Sequence, residues 1–213
     1  MNVSRRRLLA GLSAVALAGT AIAGTAPRAA AQSVNVAELH KPGPLGDKIL
    51  GSDKAAVTIV EYASVTCPAC AAFHTETYPT LKKKYIDTGK IRFIFREFPT
   101  NPAQVATAGF MLAHCSGDKY FPLVEVLFEQ QKSWFKNPLE GFKRIAKQAG
   151  FTEQSFETCL QDNKLRDEIL QVAKRGQDGF GVKSTPTFFI NGRMAVGVLS
   201  VSEMEKLIDP LLK

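Results

Sequence analysis

The chain has 213 residues, 45% hydrophobic and 22% charged, with 16 Gly and 11 Pro, a composition that excludes a disordered, collagenous or multi-span membrane protein. Its formal charge of +7 arises from 27 basic and 20 acidic residues, but four of the cations (Arg5, Arg6, Arg7, Arg28) lie in an acid-free stretch over 1–31. The rest of the chain carries 23 basic against 20 acidic residues, too even a balance for a nucleic-acid-binding surface.

Residues 1–31 have the three parts of an export signal: basic Arg5-Arg6-Arg7, an apolar run from Leu8 to Ala23, and small Ala29-Ala30-Ala31 before Gln32. They predict cleavage after Ala31. Gly11, Ser13, Gly19 and Thr20 dilute the apolar run, and it is short for a span of ~20 apolar residues, which disfavours an uncleaved anchor. Ser4-Arg5-Arg6-Arg7-Leu8-Leu9 resembles a twin-arginine signal, and general secretion fits equally well. Export to a periplasmic type of compartment leaves Cys67, Cys70, Cys115 and Cys159 in oxidising surroundings, where cysteines stay paired.

Residues 32–55, with Pro42, Gly43, Pro44 and Gly46, read as a connecting segment holding at most one short strand around Val34. Ala56 to Ala63 is β-branched and apolar on both alternations, the pattern of a buried strand. Thr66 offers a helix N-cap, and a helix follows through Cys67, Cys70, Phe73, Thr77 and Leu81, bent at Pro79. Lys90 to Phe98 alternates as a second strand, and strand–helix–strand implies parallel pairing. Over 101–181 the period becomes helical, with Val105, Ala108, Leu112 and Cys115 on one stripe and Phe156, Cys159 and Leu160 on another. Breaks are expected near Gly117, Asn137-Pro138, Gly150 and Asn163. Strands return at Thr187 to Ile190 and Arg193 to Leu199 around the hairpin signal Asn191-Gly192. Ser200 and Glu203 form a capping box for a closing helix through Met204, Leu207, Ile208 and Leu211. The expected layout is α/β: a sheet domain over 56–100 and 182–213, interrupted by a helical domain over 101–181.

Cys67-Pro68-Ala69-Cys70 sits where the buried strand hands over to a helix. A cysteine in a first helical turn faces unpaired N–H groups and the positive end of the helix dipole, and both favour thiolate. Cys67 is therefore expected to be the acidic nucleophile and Cys70, one turn on, the resolving thiol. A zinc site would need four ligands, and Cys115 and Cys159 lie 45 and 89 residues beyond Cys70, so no metal is expected. Thr185-Pro186 stands at the mouth of an apolar strand, where proline has no N–H for the ladder. A cis bond there turns the Thr185 N–H and C=O outward to pair with an extended client segment; a trans bond makes Pro186 an ordinary strand start. Glu61 on its own reads as a strand-edge or solvated residue.

The order of strand, C-P-A-C helix, strand, helical insertion, Thr-Pro strand, hairpin and final helix resembles the DsbA family of thioredoxin-fold disulfide oxidoreductases across nearly the whole chain after the leader. The resemblance implies that Pro186 is cis and packs beside the cysteines. It also makes Glu61, six residues before Cys67, a buried acid that moves protons during exchange. It further implies reduced client proteins as substrates and a membrane quinone-linked reoxidase of the DsbB type, with no bound cofactor. Two positions depart from the best-known member: Ala69 replaces a histidine that stabilises the thiolate, and Thr185 resembles the threonine of isomerase and reductase branches. Both weaken the expectation of a strong oxidase, so a reductase or isomerase stays open. The short segment before the first strand argues for a monomer over an isomerase held together by an added domain. A peptide-binding chaperone or metal carrier with secondary redox chemistry is the reading from a different class.

Cys115 and Cys159 are both placed on apolar stripes and expected to face the core. A stapling disulfide is preferred over a regulatory pair or two free thiols, since closing a loop of this length is worth ~4 kcal/mol in the chain-entropy model. His40, His74 and His114 form no triad; His114 reads as a helix-surface residue, and His74 matters only if its ring turns toward Cys70. Lys82-Lys83-Lys84 reads as a solvated helix face.

Overall fold

The computed structural model describes residues 34–212; the export signal predicted over 1–31 lies outside the described residues. The connecting segment departs from its sequence reading. It forms one helical turn, α1 (Val36–Leu39), capped by the Asn35 side chain, and a strand, β1 (Lys48–Gly51). Val34 is not in a strand; its N–H donates to the Gly192 carbonyl at 3.1 Å. Four residues ending in glycine carry no alternation to read, so β1 owes its state to the neighbour it pairs with.

The other strands are β2 (Val57–Ala63), β3 (Ile91–Glu97), β4 (Thr187–Ile190) and β5 (Arg193–Val196). They form one sheet in the order β1-β3-β2-β4-β5. Only β2 and β3 run parallel, with Ile59 opposite Phe93, and the helical crossover between them makes that pairing possible. β2 also pairs antiparallel with β4, placing Glu61 opposite Phe188.

As the central strand, β2 is buried on both faces, which is why its sequence reads as an apolar run. Val57, Ile59 and Ala63 enter the larger core with the crossover and the helical insertion. Val60 and Tyr62 enter a smaller one with Leu39, Val172, Phe180, Val182 and Phe189. The β4–β5 turn places Asn191 at φ 44° and Gly192 at φ 84°, the left-handed pair that a two-residue hairpin demands. A Cβ on Gly192 would also meet Val36 at 2.5 Å.

The crossover starts as α2 (Pro68–Ala72), passes through a π turn at Phe73–Thr77, resumes as α3 (Tyr78–Leu81) and ends in a second π turn at Lys82–Ile86. The first π turn stands just before Pro79, the residue without an N–H to return to the preceding turn. The insertion comprises α4 (Ala103–Cys115), α5 (Tyr120–Glu129), α6 (Gln131–Trp134), α7 (Pro138–Ala149), α8 (Glu153–Leu160) and α9 (Asn163–Phe180). Its breaks fall at Gly117, Asn137-Pro138, Gly150 and Asp162-Asn163, as expected, and also at Gln130 between α5 and α6, which the sequence reading did not mark. α9 crosses the sheet so closely that a Cβ on Gly176 would lie 2.6 Å from the Tyr62 ring. The chain closes with α10 (Val201–Ile208) under the Ser200–Glu203 capping box.

Candidate active site

The N-cap of α2 is Cys67 itself, at φ −84° and ψ 118°, with its sulfur accepting the Cys70 N–H at 3.4 Å. This corrects the expectation that Thr66 caps the helix. The Thr66 hydroxyl is buried and turned the other way, within hydrogen-bonding distance of Ser64 Oγ (2.9 Å), Thr100 O (3.1 Å) and Thr100 Oγ1 (3.1 Å). Cys67 is half-buried and Cys70 fully buried, and both are free thiols.

Their surroundings push the two thiols in opposite directions. The Cys70 thiol, donating to the Cys67 sulfur, is the main cause that brings Cys67 down to about 5. The Thr185 side chain and the N–H groups of Cys70 and Ala69 add to it and together outweigh partial burial. Cys70 goes well above the ordinary thiol range, first because it is buried, then because its proton is engaged with Cys67 and because the Cys67 and Glu61 charges oppose a second thiolate. The low thiol is held without the histidine that Ala69 replaces.

Glu61 is fully buried on the α2 face of β2. Both carboxylate oxygens lie 3.0–3.1 Å from His74 Nε2, and the imidazole stacks on Phe128 with centroids 4.1 Å apart. His74 is thus a member of the site that sequence reasoning left undecided. Its spacing of four from Cys70 on one helical path was the only available signal.

The Thr185–Pro186 peptide bond is cis. The Thr185 carbonyl accepts from the Cys67 thiol at 3.3 Å, which corrects the expectation that both backbone groups of Thr185 turn outward: the carbonyl faces Cys67. Its N–H donates to no acceptor among the described residues. Gln131, on α6 of the insertion, donates through Nε2 to the Val65 carbonyl at 2.7 Å and the Cys67 carbonyl at 3.0 Å. No sequence signal marked it, because the contact spans 64 residues.

A family model described as Thioredoxin matches residues 45–210. The crystal structure of alpha-DsbA1 from Wolbachia pipientis is similar at 33% identity with a TM-score of 0.77, covering 84% of this chain and 96% of that one. The chain belongs to the DsbA family. Among sequences, the disulfide bond formation protein D of Bacillus subtilis is 27% identical over 84% of this chain and 83% of its own length. A Rickettsia felis protein, provisionally named a protein-disulfide oxidoreductase, is 32% identical over 78% of this chain and 60% of its own length. This DsbA-family chain therefore spans about three fifths of that relative.

The second cysteine pair of this DsbA-family protein is joined. Cys115 and Cys159 form a disulfide with Cα atoms 6.1 Å apart across 44 residues. Only Cys159 faces the core; Cys115 is exposed, against expectation. The predicted stripe on α4 holds for Leu112, which is buried, and for Val105 and Ala108, which pack partly buried against the core, and misses only at Cys115. Ala106, Gly109, Phe110, Met111, Leu112 and Ala113 are all buried, so most of the helix circumference is covered, and Cys115 is its last residue. His114 is likewise not a surface residue: its Nε2 lies 2.7 Å from Glu97 in a pair with side chains 8% and 4% exposed. Burial alone would raise the Glu97 carboxyl, but the His114 hydrogen bond and charge and the Tyr120 hydroxyl hold it below the usual carboxylate range.

Proposed function

We propose that this chain is an exported thiol:disulfide oxidoreductase that donates its Cys67–Cys70 disulfide to reduced client proteins. In this reading it works in a periplasmic compartment as a monomer and is reoxidised by a membrane quinone-linked partner of the DsbB type. One observation carries it: a half-buried Cys67 brought down to about 5 stands against a buried Cys70 that keeps its proton. A thiolate this stable is a good leaving group, so a disulfide at Cys67 is easily opened.

A client thiolate attacks Cys67 Sγ; the Cys67–Cys70 bond breaks, and Cys70 leaves with the electron pair and is protonated. A second client thiolate then attacks the client sulfur of the mixed disulfide, closing the client disulfide and releasing Cys67 as thiolate. The Thr185 N–H, which has no acceptor among the described residues, supports its use as a donor to the client backbone, since the carbonyl of the same residue lies against Cys67. The names of the Bacillus and Rickettsia relatives support the same reaction class. The acid-free leader over 1–31 supports export, and no helix among the described residues is long and apolar enough to cross a membrane.

Ala69 and Thr185 favour a second reading in which the same site reduces or isomerises disulfides. Equilibration of Cys67–Cys70 with glutathione separates the two. A potential near the roughly −120 mV of the best-known DsbA supports the donor, and one near the about −270 mV of thioredoxin reverses the direction of electron flow.

A further inference from the structure

We propose that His74 is a positioning residue for exchange at Cys70: its Nε2–H holds the Glu61 carboxylate in place to take up and return the Cys70 proton. The inference rests on the roles given to Cys67 and Cys70 above.

The pair is closed off from solvent, with side chains 4% exposed for His74 and 0% for Glu61. The Nε2 position is equidistant, within 0.1 Å, from both carboxylate oxygens, so one N–H is shared between them. Nδ1 is buried and has no partner among the described residues. An imidazolium would carry an N–H at each nitrogen and leave the one on Nδ1 orphaned, whereas a bare acceptor is the smaller burden. The hydrogen-bond network therefore assigns the neutral Nε2–H tautomer. Stacking on Phe128 and edge contacts with Phe73 and Phe95 fix the ring plane. The titratable groups facing the pair are Cys70 and Tyr78 from the same helical path, with Glu125 from α5.

A neutral His74 leaves the dyad one negative charge and one vacant proton position, beside the only thiol that must lose a proton to close the active-site disulfide. The Cys70 proton passes to the Glu61 carboxylate, leaving a carboxylic acid and a thiolate. The thiolate attacks Cys67 Sγ of a mixed disulfide, the Cys67–Cys70 bond forms, and the partner leaves as thiolate with the electron pair. In the opposite direction Glu61 returns the proton to departing Cys70.

The test uses the full chain with glutathione joined to Cys67, following release of glutathione by Cys70 as a function of pH. His74→Leu is expected to slow closure about tenfold near neutrality, the factor for one hydrogen bond to a charged group. His74→Gln, which keeps an N–H donor, is expected to restore most of the rate. Alkylation of Cys67 in the reduced chain should be unchanged in both. In a Glu61→Gln background His74→Leu should add nothing further. Ring nitrogen NMR of the unaltered protein should find Nε2 protonated and Nδ1 bare near neutrality, a readout independent of how the variants fold. A His74→Leu protein that closes at the unaltered rate and pH profile overturns the inference, as does a doubly protonated ring. Failure of the unaltered chain to close Cys67–Cys70 at all overturns the underlying reading as well.

Discussion

The two cysteine pairs stand at opposite ends of helices. Cys67 caps the N-terminus of α2, where unpaired N–H groups and the positive end of the dipole favour thiolate. Cys115 is the last residue of α4, and Cys159 is the last but one of α8. There the negative end of the dipole disfavours thiolate, and a poor thiolate is a poor leaving group. The same residue type thus gives an open, reactive pair three residues apart and a closed pair 44 residues apart. The helix end favours this division, and the Cys70 thiol donating to the Cys67 sulfur contributes most to it. Partial exposure does not separate them, since Cys115 is more exposed than Cys67.

Removing single sulfurs from the two pairs should have the largest effect. Cys67→Ser should abolish exchange with a reduced model client, while Cys70→Ser should accumulate a mixed disulfide at Cys67, visible by mass under non-reducing conditions. Cys115→Ser should leave the rate of exchange essentially intact. If Cys115→Ser also abolished exchange in a folded protein, the division between a reactive and a structural pair would be wrong.

The reactive half of the comparison was legible in the sequence because its signals are local. A β-branched run leads into C-P-A-C, and a Thr-Pro opens the strand before Asn191-Gly192, so each cue sits within a few residues of the structure it specifies. What escaped was made by contacts distant in the chain. Glu61 meets His74 across a strand–helix turn, Gln131 reaches back to the Val65 and Cys67 carbonyls, and β1 exists because β3 offers it an edge. The stripe through Val105, Ala108 and Leu112 holds but marks only part of what is buried, and its fourth member, Cys115, is exposed. Packed by α5, α8 and α9 together, α4 is covered on too many sides for one apolar stripe to report its inward face.

The next largest effect should be on stability and should come from the closed pair. Replacing Cys115 and Cys159 with Ser opens a loop of 44 residues, which the chain-entropy model values at about 4 kcal/mol. For a chain of this size the loss corresponds to a fall in Tm of about 10 °C. Calorimetry of the oxidised protein checks it, with the glutathione equilibrium of Cys67–Cys70 measured alongside. A fall in Tm with an unchanged equilibrium keeps the two pairs separate; a shifted equilibrium would couple them.

Of the two cysteine pairs, the reactive one alone should add a dependence of stability on pH. With Cys67 brought down to about 5, the folded reduced form has released a proton that the unfolded thiol keeps until its ordinary value of about 8.5. Between these values the unfolded state binds more protons, so the reduced form gains stability as pH rises, and the gain disappears on acidification through about 5. Above about 8.5 the sign reverses, because buried Cys70 retains a proton that the unfolded chain gives up. The oxidised form lacks both effects. Urea unfolding of the two redox forms across pH should therefore give a difference that climbs from acid to mildly alkaline conditions and then declines. A flat difference would mean that the Cys67 thiolate is not stabilised by the fold.

The smallest effect tests whether the two regions communicate. Gln131 is the insertion's hydrogen-bonded hold on the active-site loop, and the Val65 carbonyl it satisfies has no other donor among the described residues. Gln131→Leu leaves that carbonyl orphaned, at a cost of about 1–3 kcal/mol. The Cys67 carbonyl is better protected, since it also accepts the Ala71 N–H at 3.1 Å. The thiolate midpoint of Cys67 should therefore rise by less than about one unit, as a loosened N-cap turn holds its N–H groups less firmly on the sulfur. Opening the Cys115–Cys159 bridge disturbs α4 and α8, and α4 packs on α5, which leads directly into α6 and Gln131. If that path transmits strain, the midpoint shifts of Gln131→Leu and Cys115→Ser will fail to add, because both act through the same carbonyl contacts. If the shifts add, or if Cys115→Ser gives none, the bridge stabilises the insertion without reaching the site, and the contrast between the two pairs is complete.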